Sequence, residues 1–387
     1  MREMRESGTP WIGEMPSHWP LIRFKDKYKN VKEIARERAA DYERLALTLN
    51  GVIKRPKDDS EGLQPKEFDT YQILRENDFV FKMIDLQNIS TSRVGLSPYT
   101  GLVSPAYIRF TPKTVGHYNK FVYYYLISLY YNCVYNNLGG DGVRSALNAS
   151  DMGEFVIPYP SEEEQKTIAE FLDKNLAKVD TLIANVQAQI EKLKAYKQSL
   201  ISEVVTKGLD PTVPMKDSGI EWIGEIPEHY QIIQLKRLAQ IVRGGSPRPA
   251  GDERYYNGDI PFMKISDITK DDGIYVDSCV HTIKPAGLNN TRMIKAGTLL
   301  LTNSGATLGV PKINTFQTTF NDGIAAFLDI SDLIDILFAY YSLKARTKLF
   351  LEEGSMGMGQ PNLNTDIIGN TYIVLPPLDE QKTSQST

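Results

Sequence analysis

The longest regular pattern in the chain is the central segment 161–207, which contains neither glycine nor proline. Ser161 stands three residues before Glu164, the spacing of a capping box, and acidic residues in this turn suit the positive end of a helix. Gly208 and Pro211 follow and are typical of a helix end. The pattern predicts one helix of about 46 residues, roughly 70 Å long, far longer than a usual globular helix.

Apolar residues recur along this predicted helix in alternating steps of four and three, which is the spacing of a coiled coil. Lys197 interrupts the series, which then resumes. Such a seam predicts a partner helix, although a long helix that packs on its own domain would also fit. The predicted interface residues are Leu172, Leu176, Val179, Ile183, Val186, Ile190, Leu193, Leu200 and Val204.

On both sides of the helix the pattern changes to short extended runs that are separated by glycine and proline. The predicted strands are 79–84 and 107–110 before the helix and 260–265 and 297–302 after it, and the predicted helices are 117–137 and 332–350. Each flank is therefore predicted to be α+β with mixed, β-rich structure rather than regular βαβ alternation.

The two flanks repeat each other. SGTPWIGEMPSHW at 7–19 returns as SGIEWIGEIPEHY at 218–230, and LNASDMGEFVIPYPSEEEQKT at 147–167 returns as LNTDIIGNTYIVLPPLDEQKT at 363–383. Such self-similarity indicates two homologous domains. Between the shared ends the copies diverge, which fits either two domains that read different things or neutral drift after duplication.

The repeat predicts the division of the chain. We expect a first domain at 1–160, the central helix at 161–208, a linker at 209–217, a second domain at 218–377 and the stub of a second helical region at 378–387. Because only the stub of that second helix is expected, the central helix has no predicted partner within its own chain. Another subunit or a second copy of the chain is expected to cover the seam.

Composition places the chain among ordinary globular proteins. Its 387 residues are 41% apolar and 24% charged, and 44 basic against 48 acidic residues give a net charge of −4. This excludes a wholly disordered chain and one coated in positive charge, but not a local basic groove. The two cysteines suggest no disulfide framework, and neither a signal peptide nor a membrane span is predicted. We expect a cytoplasmic protein without membrane contacts.

Motifs of catalysis are absent from the sequence. It contains no P-loop, no H-E-x-x-H and no G-x-S-x-G, and its four histidines lack zinc-ligand spacing. The glycine-rich run 354–359 precedes Gln360-Pro361, so it does not open the helix that a nucleotide-binding loop requires. We therefore expect no catalytic residue, metal or cofactor in this chain.

Basic and amide side chains fall in predicted loops of both copies, often beside glycine. Arginine reads guanine edges, asparagine and glutamine read adenine, and all of them also hold phosphates. Glycine allows a backbone to approach a ligand closely. The loops are interpreted as a polyanion-binding surface, with ordinary solvated loops as the alternative.

Several stretches resemble the specificity subunits of type I restriction–modification systems, and the resemblance covers nearly the whole chain. They are the two WIGE-containing starts, LSPYTGLVSPAYIRF at 96–110, GGSPRPAGDERYYNGDIPFMKISDI at 244–268, GTLLLTNSGATLG at 297–309 and QPNLNTDIIGNTYIVLPPLDEQ at 360–381. The resemblance implies two target recognition domains, each reading one half of a split, asymmetric site in double-stranded DNA. A coiled-coil-forming helix would join them, set the spacing and dock methyltransferase subunits.

The same resemblance implies that catalysis lies elsewhere. Methyltransferase subunits would bring S-adenosylmethionine and methylate adenine, and restriction subunits would join the complex with ATP and magnesium. The residues expected to contact DNA, because they are polar and lie in loops or at strand ends, are Arg93, Arg144, Arg243, Arg248, Lys264, Asn303, Gln360 and Asn362.

The short stub at 378–387 departs from the family pattern, in which a distal helix pairs with the central one. We therefore predict a homodimer through the seam in place of the standard assembly of one specificity with two methyltransferase subunits. Two alternative functions stay open at this point. In place of a DNA-reading subunit, one is an assembly scaffold that binds methyltransferase subunits without productive DNA recognition, and the other is an independent DNA-modifying enzyme.

Overall fold

The computed structural model describes residues 3–59, 67–84, 86, 94–114, 118–137, 146–355 and 361–383. The chain divides into two compact units, residues 1–184 and 185–387, which we call unit 1 and unit 2. None of the helices in the described ranges combines the length and the hydrophobicity that a membrane span requires.

Unit 1 is built mostly from short strands. Its strands are β1 (Met4–Glu6), β2 (Glu14–Pro16), β3 (Leu21–Arg23), β4 (Tyr28–Asn30), β5 (Arg44–Thr48), β6 (Gly51–Arg55), β7 (Gln72–Leu74), β8 (Phe79–Phe81), β9 (Val94–Leu96), β10 (Gly101–Val103), β11 (Ile108–Pro112) and β12 (Val156–Pro158). Its helices are α1 (Phe24–Lys27), α2 (Lys120–Tyr131), α3 (Val134–Asn137) and α4 (Ala149–Gly153), with a 3-10 helix at Arg36–Asp41.

Two four-stranded sheets form the body of unit 1, in the orders β6-β5-β10-β7 and β4-β11-β8-β9. The β5/β10 pair is parallel, and the other pairs in these sheets are antiparallel. The core is rich in aromatic rings: Phe24 stacks on Tyr28, and the edges of Phe79, Phe81 and Phe110 meet Phe24. Burial of such large apolar side chains is the main stabilising term of a small domain.

Unit 2 repeats this plan. Its strands are β13 (Met215–Asp217), β14 (Glu225–Pro227), β15 (Gln231–Gln234), β16 (Gln240–Arg243), β17 (Tyr256–Met263), β18 (Tyr275–Val276), β19 (Thr282–Ile283), β20 (Arg292–Ile294), β21 (Leu299–Thr302), β22 (Pro311–Asn314), β23 (Thr318–Phe320), β24 (Ile324–Leu328) and β25 (Tyr372–Leu375). The central helix α5 (Glu162–Lys207) runs from unit 1 into unit 2. The other helices of unit 2 are α6 (Ile265–Ile268), α7 (Ile336–Ala345), α8 (Thr347–Gly354), α9 (Thr365–Asn370) and α10 (Leu378–Thr383), with 3-10 helices at Leu235–Arg237 and Pro285–Asn290.

Apart from β18, which has no counterpart among the described residues of unit 1, the strand order of unit 2 matches that of unit 1 even where the two sequences have diverged. Its sheets run β16-β24-β21-β22-β18 and β19-β17-β23-β20. The parallel β17/β23 pair corresponds to β5/β10, and the antiparallel β20/β23 pair corresponds to β7/β10. The repeat seen at the ends of the two sequence copies therefore extends through their interiors as topology.

The residues that the sequence copies share make the same contacts in each unit. His18 Nε2 lies 2.9 Å from Glu164 Oε1 in unit 1, and His229 Nε2 lies 2.9 Å from Glu380 Oε1 in unit 2. The next aromatic residue also donates to this glutamate, from Trp19 Nε1 at 3.3 Å and from the Tyr230 hydroxyl at 2.7 Å. The shared motifs thus tie the start of each domain to the first turn of the helix that follows it.

The predicted central helix is confirmed as α5, Glu162–Lys207. Its capping box is formed, because Glu164 N donates to Ser161 Oγ and Ser161 N donates to Glu164 Oε2, both at 3.3 Å. Gly208 ends the helix with φ +74°. A Cβ at Gly208 would overlap the Tyr230 hydroxyl, so conformation and space both require glycine there.

The two ends of α5 are covered and its middle is not. Ala169 is buried in unit 1, while Val205 belongs to the core of unit 2. The predicted seam residues Leu172 and Val204 are half-buried. The other seven are exposed, from 44% at Leu176 to 66% at Leu193; they are Leu176, Val179, Ile183, Val186, Ile190, Leu193 and Leu200. The alternative of a helix that packs along its own domain therefore holds only for the helix ends.

Two predicted helices have different bounds in the structure. In place of a helix at 332–350, α7 begins after Asp335, whose Oδ1 accepts from Leu337 N at 2.8 Å, and the helical run is broken at Arg346. In place of a helix at 117–137, Cys133 with φ +55° separates α2 from α3. Hydrophobic spacing continues across both breaks, which is why the sequence pattern did not reveal them.

Candidate nucleic-acid interface

Three of the residues predicted to contact DNA in the second copy, Arg243, Arg248 and Asn362, meet around one cleft of unit 2. The cleft has a volume of about 270 Å³ and lies where the β23–β24 turn meets the end of β16 and the segment after β21. Its lining residues are Arg243, Ser304, Asn321, Asp322, Gly323, Pro361 and Asn362. Arg248 lies beside it, in contact with Asp322, so residues far apart in sequence form one polar surface.

A pair of glycines brings the arginines onto this turn. Gly245 N donates to the carbonyl of Phe320 at 3.1 Å. A Cβ at Gly244 would overlap the backbone oxygen of Asn321, and one at Gly245 would overlap that of Asn290. Only glycine allows such a close backbone approach, and the Arg-Gly-Gly-Ser-Pro-Arg run is therefore held directly against the β23–β24 turn.

Asp322 lies between the two arginines of that run. Arg243 Nε donates to the Asp322 backbone oxygen at 2.5 Å, Ser246 Oγ donates to Oδ1 at 2.7 Å, and Arg248 lies 3.3 Å from Oδ2. Partial burial raises the pKa of Asp322, but the Ser246 hydrogen bond and the charges of Arg248 and Arg243 outweigh it and lower the pKa below its usual value. The carboxylate is thus ionised at neutral pH.

The backbone just before Lys264 packs on the same turn, and Arg292 is a further cation at this surface. Asn321 N donates at 3.0 Å to the carbonyl of Met263, the residue directly before the predicted contact Lys264. Arg292, which sequence reasoning missed, donates from Nε to the backbone oxygen of Arg243 at 3.2 Å. Arg292 is brought there by the pairing of β20 with β23, a long-range contact for which the local sequence gives no signal.

The predicted contacts Asn303 and Asn362 differ in accessibility. Asn362 is exposed at the cleft and forms a β-bridge with Ser304. Asn303 is fully buried, and neither atom of its amide has a hydrogen-bond partner among the described residues. Asn321 Oδ1 is unpaired in the same way. Asn303 therefore lies beneath the surface rather than on it.

Unit 1 has apolar residues at the matching positions. Leu147 and Leu363 correspond in the sequence repeat; Leu147 N donates to the Met83 carbonyl at 3.0 Å, and Leu363 N donates to the Asn303 carbonyl at 2.8 Å. Ile84 bridges Ala146 as Ser304 bridges Asn362. The counterparts of Asn303, Ser304 and Asn362 are thus Met83, Ile84 and Ala146. The sequence repeat did not reveal this difference, because the interiors of the two copies do not align in sequence.

The remaining predicted contacts, Arg93, Arg144 and Gln360, lie outside the described residues. Within the described ranges, no group of three or more His, Cys, Asp or Glu side chains is placed to hold a metal ion.

A family model for the type I restriction modification DNA specificity domain matches residues 27–192 and again residues 227–386. The chain belongs to this family. Both copies of the repeat are covered, so the sequence resemblance and the predicted fold class, two homologous α+β domains joined by a long helix, are confirmed.

Named relatives agree with the specificity-domain assignment. The MjaX type I restriction enzyme specificity subunit of Methanocaldococcus jannaschii is 26% identical over 389 residues, which cover 96% of this chain and 86% of the relative. The EcoBI specificity subunit of Escherichia coli is 24% identical over 277 residues, or 68% of this chain and 57% of the relative. Specificity subunits are the non-catalytic members of their enzymes, in agreement with the sequence expectation, and the independent-enzyme alternative is set aside.

Two solved structures share the fold of this specificity-family chain. A chain from a study of the assembly and conformational transition of the type I R-M system aligns with a TM-score of 0.59 at 18% identity, covering 95% of this chain and 88% of that one. The HsdS subunit from Thermoanaerobacter tengcongensis aligns with a TM-score of 0.52 at 16% identity, covering 98% and 90%.

Proposed function

We propose that this chain is the DNA-reading subunit of a type I restriction–modification complex. Each unit reads one half of an asymmetric, bipartite site in double-stranded DNA, and the chain docks methyltransferase subunits and, through the complex, restriction subunits. S-adenosylmethionine, ATP and magnesium belong to those partners. The observation that carries the proposal is the convergence of Arg243, Arg248 and Asn362 on one cleft of a specificity-family domain.

The difference between the units supports an asymmetric target. At the edge where unit 2 has Ser304 and Asn362, unit 1 has Ile84 and Ala146. Side chains that hydrogen-bond to base edges carry sequence specificity, whereas phosphate contacts only position a protein on the duplex. Two domains with one topology but different edges are suited to reading two different half-sites.

Methylome sequencing of cells that carry this chain with its methyltransferase partner tests the proposal. We expect a new bipartite motif with methylated adenine, and exchange of residues 218–377 for those of another family member should change one half of it only. Absence of a new motif would contradict DNA reading. Methyltransferase binding without any DNA binding in a gel-shift assay would favour the assembly-scaffold alternative.

The exposed seam residues in the middle of α5 support self-association, in which a second copy of the chain would bury them. In a parallel pair Lys197 would face its own copy, which like charges disfavour. An antiparallel pair centred between Ile183 and Val186 would instead set Leu176 against Leu193 and Val179 against Ile190 of the second copy, and so bury the exposed run.

Charge placed in the seam tests this arrangement. Replacing Ile183 and Ile190 by lysine should convert a dimer to a monomer in light scattering at micromolar concentration, because each buried, unpaired lysine costs several kcal/mol. Ala184→Lys with Glu191→Lys, one position along and outside the seam, is the matched control and should stay dimeric. A wild-type monomer, or a dimer that survives the seam substitutions, would refute the seam as the interface.

A further inference from the structure

A carboxylate such as Asp322 is not expected on a surface that binds only phosphates. It lies among Arg243, Arg248 and Arg292, and its negative charge would repel a DNA backbone and weaken sequence-independent binding. The matching turn of unit 1 carries no acid: by strand register Val103 corresponds to Phe320, and Pro105 occupies the position of Asp322. The carboxylate is therefore a feature of unit 2 and not of the shared fold.

We infer that Asp322 is a specificity-determining residue that accepts a hydrogen bond from the exocyclic amino group of a base in the major groove. This inference rests on the proposed function and names one contact within it. The major groove offers two such amino groups, N4 of cytosine and N6 of adenine. A carboxylate accepts hydrogen bonds only, so it selects these groups against the acceptor edges of guanine O6 and thymine O4.

The geometry leaves one carboxylate oxygen available. Ser246 Oγ holds Oδ1 at 2.7 Å and fixes the orientation of the group. The contact of Oδ2 with Arg248 is long, 3.3 Å, and the Arg248 side chain is 71% exposed. Asp322 itself is 40% exposed at the mouth of the cleft. A base edge can thus replace or join Arg248 at Oδ2 without breaking the Ser246 bond.

The neighbouring arginines are consistent with a base contact at Asp322. A guanidinium beside the carboxylate can bind guanine O6 and N7 or a phosphate. Because the pKa of Asp322 is lowered, the carboxylate keeps its charge through neutral pH and needs no proton transfer to accept. The competing role is positional: Asp322 would only orient Arg248 and Arg243 and would touch no base.

A base-analogue cycle separates these roles. The full chain with its methyltransferase partner is first offered a randomised DNA library to define the site, and Kd is then measured for wild type, Asp322→Ala and Asp322→Asn on the selected site. In the half read by unit 2, cytosine is replaced position by position with 2-pyrimidinone and adenine with purine, each of which lacks the amino group. Asp332→Asn, an exposed acid outside the cleft, is the control variant.

We expect wild type to bind about tenfold more weakly to one analogue-substituted position, since a specific base contact is worth about 1–3 kcal/mol. Asp322→Ala should lose a similar factor on the natural site and nothing more on that analogue. Whether 2-pyrimidinone or purine gives the effect identifies the base as cytosine or adenine. Both Asp322 variants should bind random DNA as well as wild type or better, and Asp332→Asn should behave as wild type.

Three results would overturn the inference. A loss of affinity that is equal for all sequences would make Asp322 a positioning residue. If the affinity lost through the base analogue and the affinity lost through Asp322→Ala add when both are combined, the base contact belongs to another side chain. Wild-type affinity of Asp322→Ala on every site would exclude any role. If the wild-type complex selects no sequence at all, the proposed function itself fails, which is a different outcome from a selected motif that is insensitive to Asp322.

Discussion

In unit 1, Met83 is buried in the aromatic core, whereas at the same place in unit 2 Asn303 is buried with neither amide atom hydrogen-bonded among the described residues. Both residues accept a backbone hydrogen bond from a corresponding leucine, Leu147 in unit 1 and Leu363 in unit 2. A buried polar group without a partner costs about 1–3 kcal/mol. The same position in the shared fold thus holds a buried apolar side chain in unit 1. In unit 2 it holds a buried amide without hydrogen bonds, directly below a polar cleft.

The largest effect is expected from transferring the unit 2 residue into unit 1. Met83→Asn removes a buried apolar side chain and adds an unpaired amide, and it should lower the free energy of unfolding of unit 1 by about 3 kcal/mol or more. Denaturant unfolding followed by the fluorescence of Trp11 and Trp19, in a Trp222→Phe background, measures this. Met83→Leu, which keeps the volume, should cost less than about 1.5 kcal/mol. If Met83→Asn unfolds as wild type does, the two positions are not equivalent.

The reverse exchange should have a smaller effect of opposite sign. Asn303→Met removes the unpaired amide and should raise the free energy of unfolding of unit 2 by about 1–2 kcal/mol, if the longer side chain is accommodated as it is in unit 1. The change is read from the Trp222 fluorescence transition. Asn303→Leu tests whether the polarity or the shape of the side chain determines the change in stability. A loss of stability in both variants would mean that the amide has found partners and that the comparison with Met83 does not hold.

Local signals were sufficient for some of these features and not for others. The central helix could be predicted because its capping box, heptad spacing and terminal glycine are all close in sequence. Arg243 and Arg248 could be proposed because they flank a glycine pair. Arg292 could not, since only strand pairing brings it near. Asn303 was expected to contact DNA from a loop, but it is buried. Burial by packing from distant segments leaves no mark in the local sequence Asn303-Ser304-Gly305.

The smallest effect concerns the helix starts, where the two units agree. Glu164 accepts from His18, and this bond, with those from Trp19 and Ser161, outweighs the raising effect of desolvation and lowers the pKa of Glu164 from 4.5 to about 2. Its contribution to folding is therefore complete above the unfolded value and is lost as the pH falls toward 2. Because the His18 and Glu164 side chains are 58% and 31% exposed, we expect less than about 1 kcal/mol.

Glu164→Gln should thus reduce unit 1 stability slightly at neutral pH, and the gap to wild type should close between about pH 5 and pH 2. Urea unfolding across this range, with the matched Glu380→Gln variant in unit 2, provides the measurement. The unit 2 variant breaks the corresponding bonds to His229 and Tyr230, so it should leave the unit 1 transition unchanged. A gap that stays constant with pH would mean that the glutamate acts through packing, and the shared motif would then be steric rather than electrostatic.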